Sequence, residues 1–273
     1  MDWSLVLASQ GIQPIIEQTE EAGWALVVPT AQYDASVTAI RLYRIENSAW
    51  GWQKRIFKSG PLFDWASVAW VLLTAVFFWL SETHAAMRET GAMDVAAASA
   101  GEWWRLFTAT LVHADVAHLA TNAAFGFVLL GLAMGNYGTG VGLFAAFLAG
   151  AGGNAADWLV YSEPHRSLGA SGVVTGALGL LAVQSLAYLR HNPKALRLAV
   201  AGAFGGLMLF VLLGLNPGTD VVAHLGGFVS GTVMGALLSL TPRLSRGSFT
   251  NLLAGFLFAT LVIWTWTLAL TSQ

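Results

Sequence analysis

Seven apolar runs follow one another after Pro61, at roughly 62–82, 116–135, 139–159, 171–189, 196–215, 220–240 and 250–270. About 20 apolar residues cross the hydrocarbon core of a bilayer as a helix. Lipid cannot pair with backbone N–H and C=O groups, so a chain built from such runs is expected to be an all-α polytopic membrane protein. Composition agrees, since 56% of the 273 residues are hydrophobic and 10% charged, against about 25% charged in soluble domains. The net charge of −2 points to no nucleic-acid partner. There is no cysteine, which excludes disulfides, thiolate nucleophiles and thiolate metal sites. The opening "MDWSLVLASQGIQPIIEQTE" lacks a basic stretch before an apolar core and does not read as a secretory signal.

Residues 1–58 differ from the rest, with short apolar runs and ordinary charged surface. "IIEQTEEAGWALVVP" reads as a hairpin around Glu21-Ala22-Gly23, and "AQYDASVTAIRLYRIEN" has helical spacing that puts Ala35, Ala39, Leu42 and Ile45 on one side. A small α/β domain is expected there, regulatory or packing in role.

Lysine and arginine set the orientation. With seven spans, Arg41, Arg44, Lys54, Arg55, Lys58, Arg190, Lys194, Arg197, Arg243 and Arg246 fall on one side, and Arg88, Arg105 and Arg166 on the other. The basic side is expected to be cytoplasmic. That places the N-terminal domain in the cytoplasm, the C-terminus outside, and the chain in the cell membrane. The stretch from about 83 to 115 is then an external loop, and its "GEWWRLFTATLVH" is expected to hold a short interfacial helix with Trp103 and Trp104 in the aromatic belt.

Polar side chains inside spans are costly and need a reason. His118 and Asn122 are spaced i, i+4 in the second span, Ser171 opens the fourth, and His224 lies about one turn into the sixth. The charge bias puts all four at similar depth below the external surface. Gly172, Gly176 and Gly179 make a small-residue face on the fourth span, and Gly227, Gly231 and Gly235 one on the sixth. Such faces let membrane helices approach closely. If they meet, His224 can take the proton that makes Ser171 a nucleophile, and His118, Asn122 and the Ser171 amide can bind an oxyanion. Taken singly, each has a plainer reading. Ser171 can be a cap or packing residue, His224 can bond a carbonyl, His118 and Asn122 can be interhelical glue, and His113 fits a structural hydrogen bond. Asp220, four residues before His224, reads better as a helix cap in "NPGTD" than as a third catalytic member.

Together these residues resemble the rhomboid family of intramembrane serine proteases. "EWWRLFTATLVHADVAHLATN", "LGASGVVTG" and "AHLGGFVSG" are similar, in order and spacing, to its Trp-Arg loop motif, His-x-x-x-Asn step, Gly-x-Ser-Gly and Ala-His-x-x-Gly-x-x-x-Gly, over roughly residues 60–240. The resemblance implies a six-helix core at 59–245, with 246–273 as an additional transmembrane helix. It implies a Ser171–His224 dyad without an acidic member, and an oxyanion site at His118, Asn122 and Ser171, with Gly169 giving room for backbone approach. It assigns Trp104 and Arg105 to anchoring the first loop and Gly172, Gly227 and Gly231 to helix packing. Substrates would be single-span transmembrane proteins reached within membrane lipid, through a gate at about 196–219 where Gly205 and Gly206 permit movement. No cofactor or metal is implied. The chain departs from the family at Thr175, where many members carry a tyrosine that packs on the catalytic histidine.

Two other readings stand beside the protease. One is a catalytically weak or silent rhomboid-like protein that binds membrane clients; such relatives usually lack the serine or histidine, and this chain keeps both. The other is a membrane metal-binding protein or transporter using His113, His118 and His224, which lacks a His-Glu-x-x-His and has only Asp115 and Asp220 nearby. The sequence assigns no oligomeric state.

Overall fold

The computed structural model describes residues 2–19, 23–46, 63–162, 164–191, 196, 200, 220–241 and 247–272. The chain divides into two units, Met1–Gly60 and Pro61–Gln273.

In the first unit α1 (Asp2–Ser9) precedes a hairpin of β1 (Ile15–Thr19) and β2 (Gly23–Val27), antiparallel with Ile15 opposite Val27 and Thr19 opposite Gly23. Glu21 and Ala22 of the expected turn lie outside the described residues, and Gly23, which opens β2, takes a positive φ of 75°. Helix α2 (Tyr33–Glu46) follows and packs on α1, a helix that the sequence reading does not include. The expected apolar side of α2 is not its buried side. Leu42 and Ile45 are exposed, and Ser36 is the residue that is buried. Among the described residues of this unit Leu7 and Ile12 are the buried large apolar side chains.

The second unit is helical. Its long elements are α3 (Ser67–Thr83), α7 (Val116–Tyr137), α8 (Thr139–Val160), α9 (Ser171–His191), α10 (Val221–Leu240) and α11 (Ser248–Thr271). Among the described residues α7, α8, α10 and α11 are long and apolar enough to cross a membrane, and Ser67–Thr83 and Ser171–Leu186 are shorter apolar helices. The expected span at 196–215, with the gate and with Gly205 and Gly206, lies outside the described residues.

Helix α10 shows which solvent these helices are made for. Gly227, Gly231 and Gly235 are buried, while Leu225, Val229, Val233 and Leu237 are about half exposed. The large apolar side chains face outward and the smallest residues face the protein. Water would favour the reverse, and lipid favours this arrangement, because packing contacts rather than apolar burial draw helices together there. Gly227 meets the carbonyl oxygen of Gly172 at 2.5 Å from where a β-carbon would stand, and Gly231 meets Gly176. The two glycine faces read from the sequence therefore touch.

The core beside this contact holds Trp70 of α3, Leu130 and Met134 of α7, Ala146 of α8, and Val173 and Leu180 of α9. The Tyr137 hydroxyl donates to the Leu180 carbonyl at 2.9 Å, joining the end of α7 to the middle of α9. A second cluster seats α11 through Phe258, Val262 and Trp266 on Phe147 of α8 and on Leu111 and Val112. The chain is thus an all-α polytopic membrane protein carrying small sheets only.

The connection from α3 to α7 holds more than the one short helix expected. It contains α4 (Ala85–Gly91), β3 (Met93–Asp94), α5 (Val95–Ser99) and α6 (Arg105–Thr108). Arg105 gathers them. It is buried, its guanidinium donates to the carbonyls of Glu89 (2.9 Å) and Ala92 (2.7 Å), and it pairs with Glu102 at 2.6 Å. Five donors on a planar fork allow one side chain to close three parts of a loop. Trp103 and Trp104 stack edge to face, and Trp103 also meets Trp264 of α11.

Candidate active site

The loop gathered by Arg105 holds the turn in front of Ser171. Strand β4 (Arg166–Ser167) pairs antiparallel with β3, Ser167 opposite Met93 and Arg166 opposite Asp94. The Val95 amide donates to the His165 carbonyl at 3.1 Å, and the Gly169 amide to the Ala109 carbonyl at 2.9 Å. The Ala170 amide points at His113 Nε2, 3.4 Å away. His165, Arg166, Ser167, Gly169 and Ala170 are thereby tied to the first loop or its end. Helix α9 then begins at Ser171, and the opening amides of a helix have no carbonyl within it to bond.

His113 is fully buried. Burial first, and the neighbouring His118 second, hold its imidazole at about 4, below the ordinary 6.5. A neutral ring is the form whose Nε2 can accept the Ala170 amide. His113 therefore serves the turn as an acceptor, the structural role its position at the loop–helix junction suggests.

His118 and Asn122 come from α7, whose first turn is capped by Asp115; its carboxylate accepts the His118 amide at 2.8 Å. The His118 ring lies edge to face on His113, centroids 5.3 Å apart. The Asn122 side chain is buried and gives one amide hydrogen to the His118 carbonyl at 3.1 Å, so its second N–H is the one left to serve a ligand. His224 is buried in the first turn of α10. Asp220 caps that helix, Oδ1 accepting the Ala223 amide at 3.1 Å. Thr175 is buried, gives its hydroxyl to the Gly172 carbonyl at 3.2 Å, and sits 2.7 Å from where a β-carbon on Gly227 would be.

One cavity of about 750 Å³ is lined by Ser171, His224, His118, Asn122 and Thr175 together. Gly169 stands behind it. Its amide is committed to Ala109, so it contributes space and not a donor. Trp104 and Arg105 are in the first loop, and Gly172, Gly227 and Gly231 form the contact between α9 and α10.

The same cavity is lined by residues that the sequence reading did not select, His165 among them. His165 Nε2 is 2.7 Å from Asp220 Oδ2 and 4.0 Å from Asp157 Oδ2, and the Tyr161 ring stacks on the imidazole at 3.9 Å. Asp157, near the end of α8, is fully buried and accepts the Ser167 hydroxyl at 2.9 Å. Asn154, one turn earlier, donates to the Leu106 carbonyl at 2.7 Å. The signal for both was present: a carboxylate and an amide inside a glycine-rich apolar run are as costly in lipid as the four residues that were singled out.

A polytopic helical protein with a serine and a histidine on abutting glycine-faced helices, opening on one cavity, defines the class of membrane protein with polar side chains gathered inside its helical bundle. The rhomboid domain family matches residues 100–241, more than half of the chain, and the chain belongs to the rhomboid family. It is similar to the rhomboid protease GluP of Bacillus subtilis (29% identical over 198 residues, 68% of this chain and 36% of the relative). It is also similar to the mitochondrial RHOMBOID-like protein 6 of Arabidopsis thaliana (26% identical, 63% and 56%) and to the chloroplastic Rhomboid-like protein 11 of the same plant (32% identical, 52% and 55%). The chain spans between about a third and about half of the length of these relatives.

Proposed function

We propose that this chain is an intramembrane serine endopeptidase that cleaves transmembrane segments of single-span membrane proteins. The observation that carries this reading is the meeting of Ser171, His224, His118 and Asn122, from three helices, on one cavity. His224 takes the Ser171 hydroxyl proton as Oγ attacks the scissile carbonyl, then passes it to the leaving amine. The second Asn122 N–H, the His118 ring and the Ser171 amide face the oxygen on which negative charge develops. A water repeats the sequence on the acyl-enzyme and frees the serine. Family membership and the likeness to a named rhomboid protease support the same reaction.

In this reading residues 59–245 are the catalytic core, 246–273 an added helix, and 1–58 a cytoplasmic domain of regulatory or packing role. The cavity opens toward the external face, as the distribution of Lys and Arg favours. A peptide bond inside an intact helix is shielded, so the substrate segment unwinds locally to enter.

The test is cleavage of a single-span reporter in liposomes by wild type, Ser171→Ala and His224→Ala. Each variant is expected to be folded and inactive, and the double variant no worse than either, because nucleophile and base act as a unit. Turnover by folded Ser171→Ala refutes the assignment. Binding of reporter without cleavage by wild type favours the client-binding reading.

A further inference from the structure

We propose that Asp157, His165 and Asp220 form a binding site for a divalent first-row cation of the zinc class at the rim of the cavity. The three residues each place one donor atom within 4.8 Å of the other two. They come from the end of α8, the turn before Ser171, and the cap of α10, so no local motif predicts their meeting.

Asp157 carries the argument. Its side chain is 0% exposed, one oxygen accepts the Ser167 hydroxyl, and Oδ1 has no hydrogen-bond partner. A buried carboxyl either keeps its proton or has its negative charge met by a cation. The one imidazole near it does not meet it. His165 Nε2 lies 2.7 Å from Asp220 Oδ2, and its 4.0 Å to Asp157 Oδ2 is beyond a hydrogen bond. Two carboxyls this close share a proton unless a cation meets both charges. One proton serves one imidazole–carboxylate contact. A divalent cation is bound by both carboxylates and the ring at once.

The donor set is one imidazole nitrogen and two carboxylate oxygens, which suits zinc and its first-row neighbours better than magnesium or calcium. Ligands about 2.0–2.2 Å from such an ion stand roughly 3.3–3.6 Å apart on a tetrahedral shell, and the observed 2.7 and 4.0 Å separations straddle that spacing. Each ligand is also oriented from behind: Ser167 holds Asp157, the Ala223 amide holds the other oxygen of Asp220, and Tyr161 stacks on His165. His165 remains 23% exposed, which leaves a fourth position open to the cavity side. Because Asp220 caps the helix of His224 and His165 precedes the turn of Ser171, the ion would join the two segments that carry those side chains. The site stands apart from the proposed dyad and does not depend on it.

The test is calorimetric titration of Zn²⁺, and separately Mn²⁺, into the purified chain in detergent after chelator treatment, with thermal unfolding measured in parallel. The expected result is one equivalent of Zn²⁺ bound with at least micromolar affinity and a raised Tm. Both effects should weaken by more than about tenfold in Asp157→Asn and in His165→Gln, and should persist in Ser171→Ala. The His165 variant keeps the test open should Asp157→Asn fail to fold. Absence of saturable binding to wild type, or binding unchanged in a folded His165→Gln, overturns the proposal. So does binding lost instead in His118→Ala, which would place the ion among the other histidines.

Discussion

The ring of His118 occupies the space that a β-carbon on Gly169 would take, Cε1 and Nε2 lying 2.6 and 2.7 Å from that point. Gly169 has a φ of 127°, a conformation that other residues rarely adopt. Backbone freedom and the missing side chain thus act together: one bends the turn into Ser171, the other admits a side chain from α7 into the cavity.

Gly169→Ala should therefore lower stability by about 1–3 kcal/mol, through strain at positive φ and overpacking on the imidazole. If His118 contributes to the oxyanion site, the catalytic rate falls by roughly tenfold or more beyond the loss of folded protein. Thermal unfolding together with active-site titration separates the two effects. A variant with normal Tm and normal rate would show that His118 is not held against this residue.

Asn122→Ala should reduce the catalytic rate by roughly 10–1000-fold with little change in KM, because a donor aimed at a developing charge acts in the transition state and not in the ground state. His118→Ala should have a smaller effect of the same kind if the donors are partly redundant. Reporter kinetics in liposomes check both. Unchanged rates in the two variants would return Asn122 and His118 to interhelical packing.

His113 makes stability depend on pH. Its imidazole is held at about 4 in the folded chain, against an ordinary 6.5. Between these values the unfolded chain binds the proton and the folded chain does not, so stability falls as pH drops from about 6.5 to about 4 and is flat above. The full loss is roughly 3 kcal/mol. Protonation of the folded chain would also remove the acceptor that holds the Ala170 amide, so activity should fall from this cause only as pH approaches about 4. His113→Gln, measured by thermal unfolding across this range, should flatten the profile; an unchanged slope would assign the dependence to other groups.

Thr175→Tyr, which restores the aromatic many family members carry, should destabilise the chain by about 1–3 kcal/mol. Thr175 is buried and its hydroxyl already stands against Gly227, one turn beyond His224, so a phenol ring has to displace α10 or swing into the cavity. Tm and reporter cleavage are the measurements. A rise in activity at unchanged Tm would mean that the cavity takes the ring and that His224 gains from it.

Much of this protein is local in origin and was legible in the sequence. Runs of about 20 apolar residues report on the solvent, the hairpin of β1 and β2 and the cap at Asp220 are written in neighbouring residues, and glycines three or four positions apart mark the face where α9 and α10 touch. The spacing of His118 and Asn122, and the place of Ser171 and His224 at helix starts, need only the pitch of a helix to be read. What depends on packing was not legible. Leu42 and Ile45 of α2 share a face yet stay exposed, because periodicity predicts a face and not a partner for it. The first loop was expected to hold one short helix; it holds three, and the buried fork of Arg105 ties α6 to the end of α4. Asp157 and His165 stand close in sequence but on different segments, Asp220 follows 55 residues after His165, and their donor atoms meet only because α8, the turn before Ser171 and the cap of α10 are brought to one end of the bundle. Sequence spacing states which side chains share a face of one helix. Which faces of different helices meet is decided by close contact between glycine backbones and by the loop that clamps the turn, and those are properties of the assembled fold.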